Sequence, residues 1–229
     1  MKKFGEARKT MAIGTIVVMI AFVLVAMTPV VSANSGTFTA PYTSCNAWTN
    51  YGVTTQYGSV IATPTAPSMS ASNGYGTMGA HIETGINSYA TIVEKIGLSG
   101  CEFIAGSTSQ YVKSTWYTTA SGQYHTDTSG GTVQVYIIIF MSLFDVDSST
   151  SRTEVGTYVL QMSYSDVTIK HTFGGPWTVA TGYTWTGLTQ NHHYIVQDTL
   201  ELYAYCSSVG GNGYLTVNVG GTCQSIVLQ

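Results

Sequence analysis

The sequence has few charged residues. Asp, Glu, Lys and Arg make up 8% of its 229 residues, against roughly 25% in an ordinary soluble domain. After residue 33 the chain keeps four Lys or Arg and ten Asp or Glu, hence a formal charge of −6. Four scattered cations cannot form a basic patch, which excludes electrostatic binding to nucleic acid or to anionic lipid surfaces. Few ion pairs are possible, so the composition predicts a stability that depends weakly on pH.

The sequence also lacks the short motifs of nucleophilic hydrolases. It contains no Gly-x-Ser-x-Gly elbow, and no cysteine is set beside a histidine. No Asn begins an Asn-x-Ser/Thr sequon, so N-linked glycan is not expected. We therefore assign no catalytic residue from the sequence.

The first 33 residues have the pattern of an export signal. Four basic residues among the first nine precede an apolar run over residues 11–27. Pro29 then ends any helix, and Val31-Ser32-Ala33 is a small-x-small cleavage pattern. The sequence predicts cleavage after Ala33 and a secreted or cell-surface protein. A retained membrane anchor and a pilin-like cut before the apolar run are the alternatives.

The rest of the chain, residues 34–229, reads as a single antiparallel β-sandwich of jelly-roll or immunoglobulin-like type. Segments rich in Val, Ile, Thr and Tyr alternate with Gly, Ser, Asn, Asp and Pro. The apolar stretch 133–144 has the character of a central core strand, and residues 193–207 alternate between a polar and a mainly apolar face. A loop is predicted at 64–75, and turns at the Gly-Gly pairs. The predicted strands are 53–63, 79–96, 111–119, 132–144, 154–164, 167–173, 183–188, 193–207, 214–219 and 223–228.

Four cysteines lie after the predicted cleavage site. An even number in an exported chain predicts two disulfides and no free thiol. Three pairings are possible. Short loops favour Cys45 with Cys101 and Cys206 with Cys223, although a predicted strand separates the last two cysteines. The cysteines do not have the close spacing, to one another or to histidine, that zinc sites require. The four residues are Cys45, Cys101, Cys206 and Cys223.

One segment is rich in potential metal ligands. Asp145 and Asp147 follow the core strand two residues apart, in a run of oxygen-bearing side chains that could bind Ca²⁺. The segment lacks the Gly and terminal Glu of an EF-hand, and a plain turn is the alternative. His192 and His193 follow another turn; one imidazole could join a metal, although adjacent strand residues point to opposite faces.

Aromatic residues are the most promising binding groups. Trp177 and Trp185 flank a predicted turn at Gly182 and would lie near one another in a hairpin, and Trp116 is a third candidate. Such rings stack on sugars or on partner proteins. The alternative is that the tryptophans belong to the core.

In composition the chain resembles secreted or cell-surface β-sandwich proteins of microbes, archaeal ones especially, including filament and surface-layer subunits. The basic leader, the Ser/Thr/Tyr/Val/Gly-rich strands and the near absence of Lys and Arg carry this resemblance. It implies a non-enzymatic module that binds protein or glycan at the cell exterior, or assembles with itself. Donor-strand assembly through residues 35–40 is one such option. The alternative is a secreted, glycosidase-like hydrolase whose carboxylates converge in a cleft, with Glu83, Glu94, Glu102 and Asp198 as candidates.

Overall fold

The computed structural model of the chain describes residues 31–33, 35–126 and 130–229. Every regular element in these ranges is a β-strand, which confirms the predicted all-β class. The predicted export segment lies outside the described residues, apart from its last three positions, which form a short strand. None of the described residues belongs to a helix that could span a membrane.

The strands form two sheets that pack face to face as a β-sandwich. In chain order the strands are β1 (Val31–Ala33), β2 (Gly36–Phe38), β3 (Asn46–Tyr57), β4 (Val60–Met69), β5 (Tyr75–Thr84), β6 (Ser88–Ala105), β7 (Ser109–Thr126), β8 (Thr132–Asp145), β9 (Thr150–Ser151), β10 (Val155–Ser165), β11 (His171–Thr186), β12 (His193–Ser208) and β13 (Gly213–Leu228). The larger sheet has the order β3-β6-β12-β8-β10, with β1 added to β6 and β9 to β8. The smaller sheet has the order β11-β7-β13-β5-β4, with β2 added to β13. Pairing is antiparallel except between β1 and β6.

The core lies between the sheets and is built by alternation along each strand. On β12, Val196, Leu200 and Leu202 are fully buried and point inward, as the sequence predicts. The predicted core strand is β8, which lies between β12 and β10. From the opposite sheet β7 contributes Trp116, whose large side chain is fully buried. The alternation thus covers one face of each sheet with apolar side chains.

Some predicted boundaries are wrong, because turn-forming residues lie inside or between strands. The predicted strands 53–63 and 79–96 are each two strands joined by a tight turn. Conversely, β11 runs through Gly174-Gly175-Pro176, and β13 runs through Gly220-Gly221, where turns are predicted. At Gly221 an added Cβ would lie 2.4 Å from Leu200 Cδ2 of the opposite sheet. This glycine therefore allows close packing of the sheets and does not form a turn.

Strand β4 contains Pro64 and Pro67, where the sequence predicts a loop. It is an edge strand, so the missing proline N–H groups are tolerated, and its pairing with β5 shifts register at a bulge. Gly79 N–H, which lies opposite this irregularity, donates to Glu94 Oε2 at 2.6 Å. The Glu94 carboxylate reaches across from β6 and satisfies a backbone group beside the bulge. Burial nonetheless raises the pKa of Glu94 to about 7.

One of the two predicted disulfides is present. Cys45 is bonded to Cys101, which joins the start of β3 to β6. Cys206 and Cys223 are buried free thiols, so the prediction of a second bridge and no free thiol is wrong. Cys206 lies next to Gly213 at the start of β13, because a Cβ added to that glycine would lie 2.8 Å from Cys206 Sγ. Cys223 is ten residues farther along the same strand, so it lies about 33 Å from Gly213 at about 3.3 Å per residue. A disulfide needs Cα atoms within about 7 Å.

Candidate functional site

The three predicted tryptophans do not form a platform. Trp116 and Trp185 are 0% and 3% exposed, so a ligand cannot reach their ring faces. Trp177 is partly buried against the core. Because β11 has no turn at Gly182, Trp177 and Trp185 are eight residues apart on one continuous strand, about 26 Å at about 3.3 Å per residue.

Trp116 instead belongs to a polar network inside the sandwich. Its indole Nε1–H donates to Asp198 Oδ2 at 2.8 Å, and the Ser114 hydroxyl donates to the same oxygen at 2.6 Å. The Cys223 thiol lies 3.3 Å from that oxygen. Burial raises the pKa of Asp198 to about 6, although these hydrogen bonds act to lower it. The network links both sheets and has no exposed atom at Asp198, so we assign it to the core.

The four carboxylates of the hydrolase alternative lie apart. Glu94 and Asp198 are fully buried between the sheets. Glu102 lies on the outer face of the larger sheet, where its Oε1 is hydrogen-bonded to His193 Nδ1 at 2.7 Å. Glu83 lies on the outer face of the smaller sheet. The described residues therefore do not bring these side chains together in one cleft.

A cup of about 400 Å³ lies at one end of the outer face of the smaller sheet. Four strands meet there: β4 and β13 begin at this end, and β5 and β7 finish there. Ile61 and Glu83 are cross-strand partners on β4 and β5, and Tyr214 is the partner of both Glu83 and His125. Asn212 completes the rim from the turn before β13. This volume is within the range of small-molecule sites, about 300 to 1,000 Å³.

The side chains in the cup hold one another in place. His125 stacks on Tyr214 with ring centroids 5.3 Å apart, and His81 meets the same tyrosine edge-on at 5.5 Å. His81 Nε2 also lies 3.2 Å from Glu83 Oε1. The result is an array of carboxylate, imidazole, phenol and amide groups beside Ile61, which is 57% exposed. Such an array can hydrogen-bond to several hydroxyls while an aliphatic group contacts the apolar side of the ligand.

A row of tyrosines crosses the outer face of the larger sheet. Tyr57 stacks with Tyr89 at a centroid distance of 5.8 Å, and Tyr136 stacks with Tyr203 at 5.4 Å. Neighbouring strands lie about 4.8 Å apart, so rings this close and nearly parallel cover each other's faces. The outer side of the row stays accessible, since Tyr57 is 63% exposed. The row offers aromatic surface, whereas the cup offers a concave site with several kinds of polar group.

The structure brings Asp145, Asp147 and His192 together. One ligand atom from each lies within 4.8 Å of the others. Asp145 is 1% exposed and ends β8; its Oδ1 accepts from Ser148 N–H at 3.1 Å. Burial alone would raise the pKa of Asp145, but hydrogen bonds from Ser148, His192 and Tyr194 outweigh it and lower the pKa to about 2.

The sequence does not predict the cup. It offers Glu83 only as a candidate for the hydrolase alternative, and it carries no motif at His125 or Tyr214. They are far apart in the sequence and meet only through the pairing of β13 with both β5 and β7. The one local signal is the Gly210-Gly211-Asn212-Gly213 turn, which predicts a hairpin but not a site.

No protein-family model and no curated protein sequence matches this chain. Among solved structures, the chain is similar to TmCBM61 in complex with β-1,4-galactotriose, at 9% identity over 66% of this chain and 70% of that one, with a TM-score of 0.24. It is also similar to the enzymatically active domain of bacteriophage CBA120 tailspike protein 4, at 10% identity over 84% of this chain and 21% of that one, with a TM-score of 0.23. Identities and TM-scores this low do not support any conclusion about the function of this chain.

Proposed function

We propose that this protein is an extracellular β-sandwich module that binds glycan in the cup around Tyr214. The observation that carries the proposal is the cup itself, where a carboxylate, an imidazole, a phenol and an amide lie beside an exposed aliphatic side chain. A sugar ring has the matching chemistry, because it carries several hydroxyls and an apolar side. The cup lies at one end of the sheet and has a volume of about 400 Å³, which favours one terminal or branching sugar over a long chain lying flat.

The charge of the cup favours neutral sugars. Glu83 is half exposed beside it, and none of the lysines or arginines in the described chain lines it. A uronic or sialic acid would bring a second carboxylate toward Glu83 without a cation to offset the repulsion. Neutral hexoses and N-acetylhexosamines would instead donate hydroxyl or amide hydrogens to the carboxylate.

The test is binding of the purified protein to an array of neutral and acidic oligosaccharides, followed by calorimetric titration with the best ligand. We expect Glu83→Gln and Tyr214→Ala each to weaken binding at least tenfold, because the first replaces a charged acceptor with a weaker neutral amide and the second removes the phenol from the cup. Glu154→Gln, an exposed carboxylate beside the larger sheet, is the matched control and should bind like the parent. Absence of binding to every oligosaccharide, or equal losses in the control, would reject the proposal.

A further inference from the structure

The ends of β8 and β12 place two carboxylates and an imidazole side by side. Asp145 is the last residue of β8, Asp147 lies in the following turn, and His192 precedes β12. The two turns are joined by the hydrogen bond from Val146 N–H to His193 O at 2.9 Å. The ligand atoms come from separate parts of the chain and are held together by the sheet.

We propose that Asp145, Asp147 and His192 form a binding site for a divalent transition ion of the Zn²⁺ type. Donor atoms that share such an ion at about 2.0 to 2.2 Å lie at most about 4.4 Å apart. The three donors already lie within 4.8 Å of one another, so small side-chain rotations bring them into a coordination sphere. Three protein ligands leave a further position for water or another ligand.

Charge in this region supports the assignment. Asp145 and Asp147 are two neighbouring carboxylates, and no lysine or arginine of the described chain forms an ion pair with either of them. The cation nearest in sequence, Arg152, donates instead to the carbonyl oxygen of Gly187 at 3.1 Å. A buried carboxylate needs a compensating charge or metal, and His192 is the one His, Lys or Arg side chain in contact with Asp145 among the described residues. A divalent ion held between the three side chains would supply positive charge next to the two carboxylates.

Outer hydrogen bonds already orient the ligands. His193 N–H donates to Asp147 Oδ2 at 2.7 Å, and Ser148 N–H donates to Asp145 Oδ1 at 3.1 Å. His192 Nδ1 faces both oxygens of Asp145 at 3.1 and 3.2 Å. In the metal-bound state His192 Nδ1 would bind the ion that Asp145 also binds, in place of its direct contact with the carboxylate. Backbone donors of this kind hold ligating carboxylates in place in metal sites.

The histidine distinguishes this site from a Ca²⁺ site, which the sequence offers as one possibility beside a plain turn. Ca²⁺ takes six to eight oxygen ligands, whereas imidazole is a preferred ligand of Zn²⁺, Cu²⁺ and Ni²⁺. A set of one nitrogen and two carboxylates therefore selects the transition ion. The site lies on the larger sheet, away from the cup, and the inference stands independently of the proposed function.

The test is calorimetric titration of untagged, EDTA-treated protein with ZnCl₂ and with CaCl₂, and elemental analysis after dialysis. We expect one Zn²⁺ per chain, with affinity reduced at least tenfold by Asp147→Asn and by His192→Gln. His171→Gln removes an exposed histidine of β11 and should leave Zn²⁺ binding unchanged. Melting curves of the metal-free variants verify that they are folded. The proposal is overturned if Zn²⁺ does not bind, if the control loses affinity equally, or if Ca²⁺ binds in preference and still binds His192→Gln.

Discussion

Cys206 and Cys223 occupy two different environments inside the sandwich. Cys206 lies beside the Thr84 hydroxyl at 3.9 Å, whereas Cys223 accepts a hydrogen bond from Tyr42 and lies beside Asp198. Burial raises the pKa of the Cys206 thiol to about 11. Burial also raises the pKa of the Cys223 thiol, and the nearby Asp198 raises it further. Because the thiolate is the reactive form, both residues should be inert in the folded protein.

We therefore expect a stepwise count of alkylated cysteines. Native, non-reduced protein should take up no iodoacetamide; unfolding in denaturant without reductant should expose two thiols; and adding reductant should expose all four. Mass spectrometry of each sample gives the counts, and peptide mapping should assign the first two to Cys206 and Cys223. Rapid labelling of native protein would contradict the buried environments. No labelling in denaturant would show that a second disulfide exists.

Strand β13 contacts the opposite sheet where Gly221 faces the core. An added Cβ would lie 2.4 Å from Leu200 Cδ2 and 3.3 Å from the Trp116 ring. Both neighbours are fully buried in the core. A methyl group here would push β13 and β12 apart, and overpacking of this kind costs about 1 to 3 kcal/mol.

We expect Gly221→Ala to lower the free energy of unfolding by about 1 to 3 kcal/mol, measured by urea denaturation. Gly52→Ala on edge strand β3 is the matched control, because nothing lies within 4 Å of its added Cβ. That control should be neutral or slightly stabilising, since alanine has the smaller backbone entropy in the unfolded chain. Leu200→Ala alone should also destabilise the protein, and the loss in the Gly221→Ala/Leu200→Ala double variant should be smaller than the sum of the two single losses. Equal effects at both glycines would argue against the packing explanation.

The elements that the sequence predicts well are those with an uninterrupted pattern. β8, β10 and β12 are found within two residues of their predicted bounds, because alternating or continuous apolar residues indicate a strand directly. For β11 and β13 the sequence predicts two shorter strands each, since Gly174-Gly175-Pro176 and Gly220-Gly221 resemble turns locally. Only the packing of one sheet on the other shows why glycine is needed inside β13. The cup could not be predicted for a similar reason: its residues become neighbours only through strand order.

At the scale of the whole molecule, few exposed ion pairs stabilise the fold. Lys95–Glu201, at 2.6 Å, is the one ion pair of a lysine or arginine in the described chain. Such partly exposed pairs contribute about 0 to 1 kcal/mol. The composition thus predicts weak dependence on pH, but it does not show that Glu94 and Asp198 are fully buried. These two carboxyls change the expectation.

We expect the protein to be more stable in mild acid than at alkaline pH. Burial raises the pKa of Glu94 to about 7 and that of Asp198 to about 6. A carboxyl whose folded pKa is raised contributes stability that is fully present below its unfolded pKa, near 4, and that is lost as pH rises through the folded value. Each pKa unit corresponds to about 1.4 kcal/mol, so the two groups together change stability on the order of 5 kcal/mol between about pH 4 and pH 8.

For a domain of this size each kcal/mol shifts the melting temperature by about 2 to 4 °C, so the melting temperature should fall by about 10 °C or more between pH 4.5 and pH 8. Glu94→Gln should reduce that fall, because the neutral amide can still accept the Gly79 N–H without ionising, and Asp198→Asn should reduce it further. The control is Glu83→Gln, which removes an exposed carboxyl of β5 and should keep the parent's dependence of melting temperature on pH. Calorimetric melts of the parent and three variants between pH 4 and pH 9 provide the measurement. A parent protein that melts at the same temperature across this range, or one that gains stability toward pH 8, would show that these two carboxyls are accommodated as ions inside the sandwich.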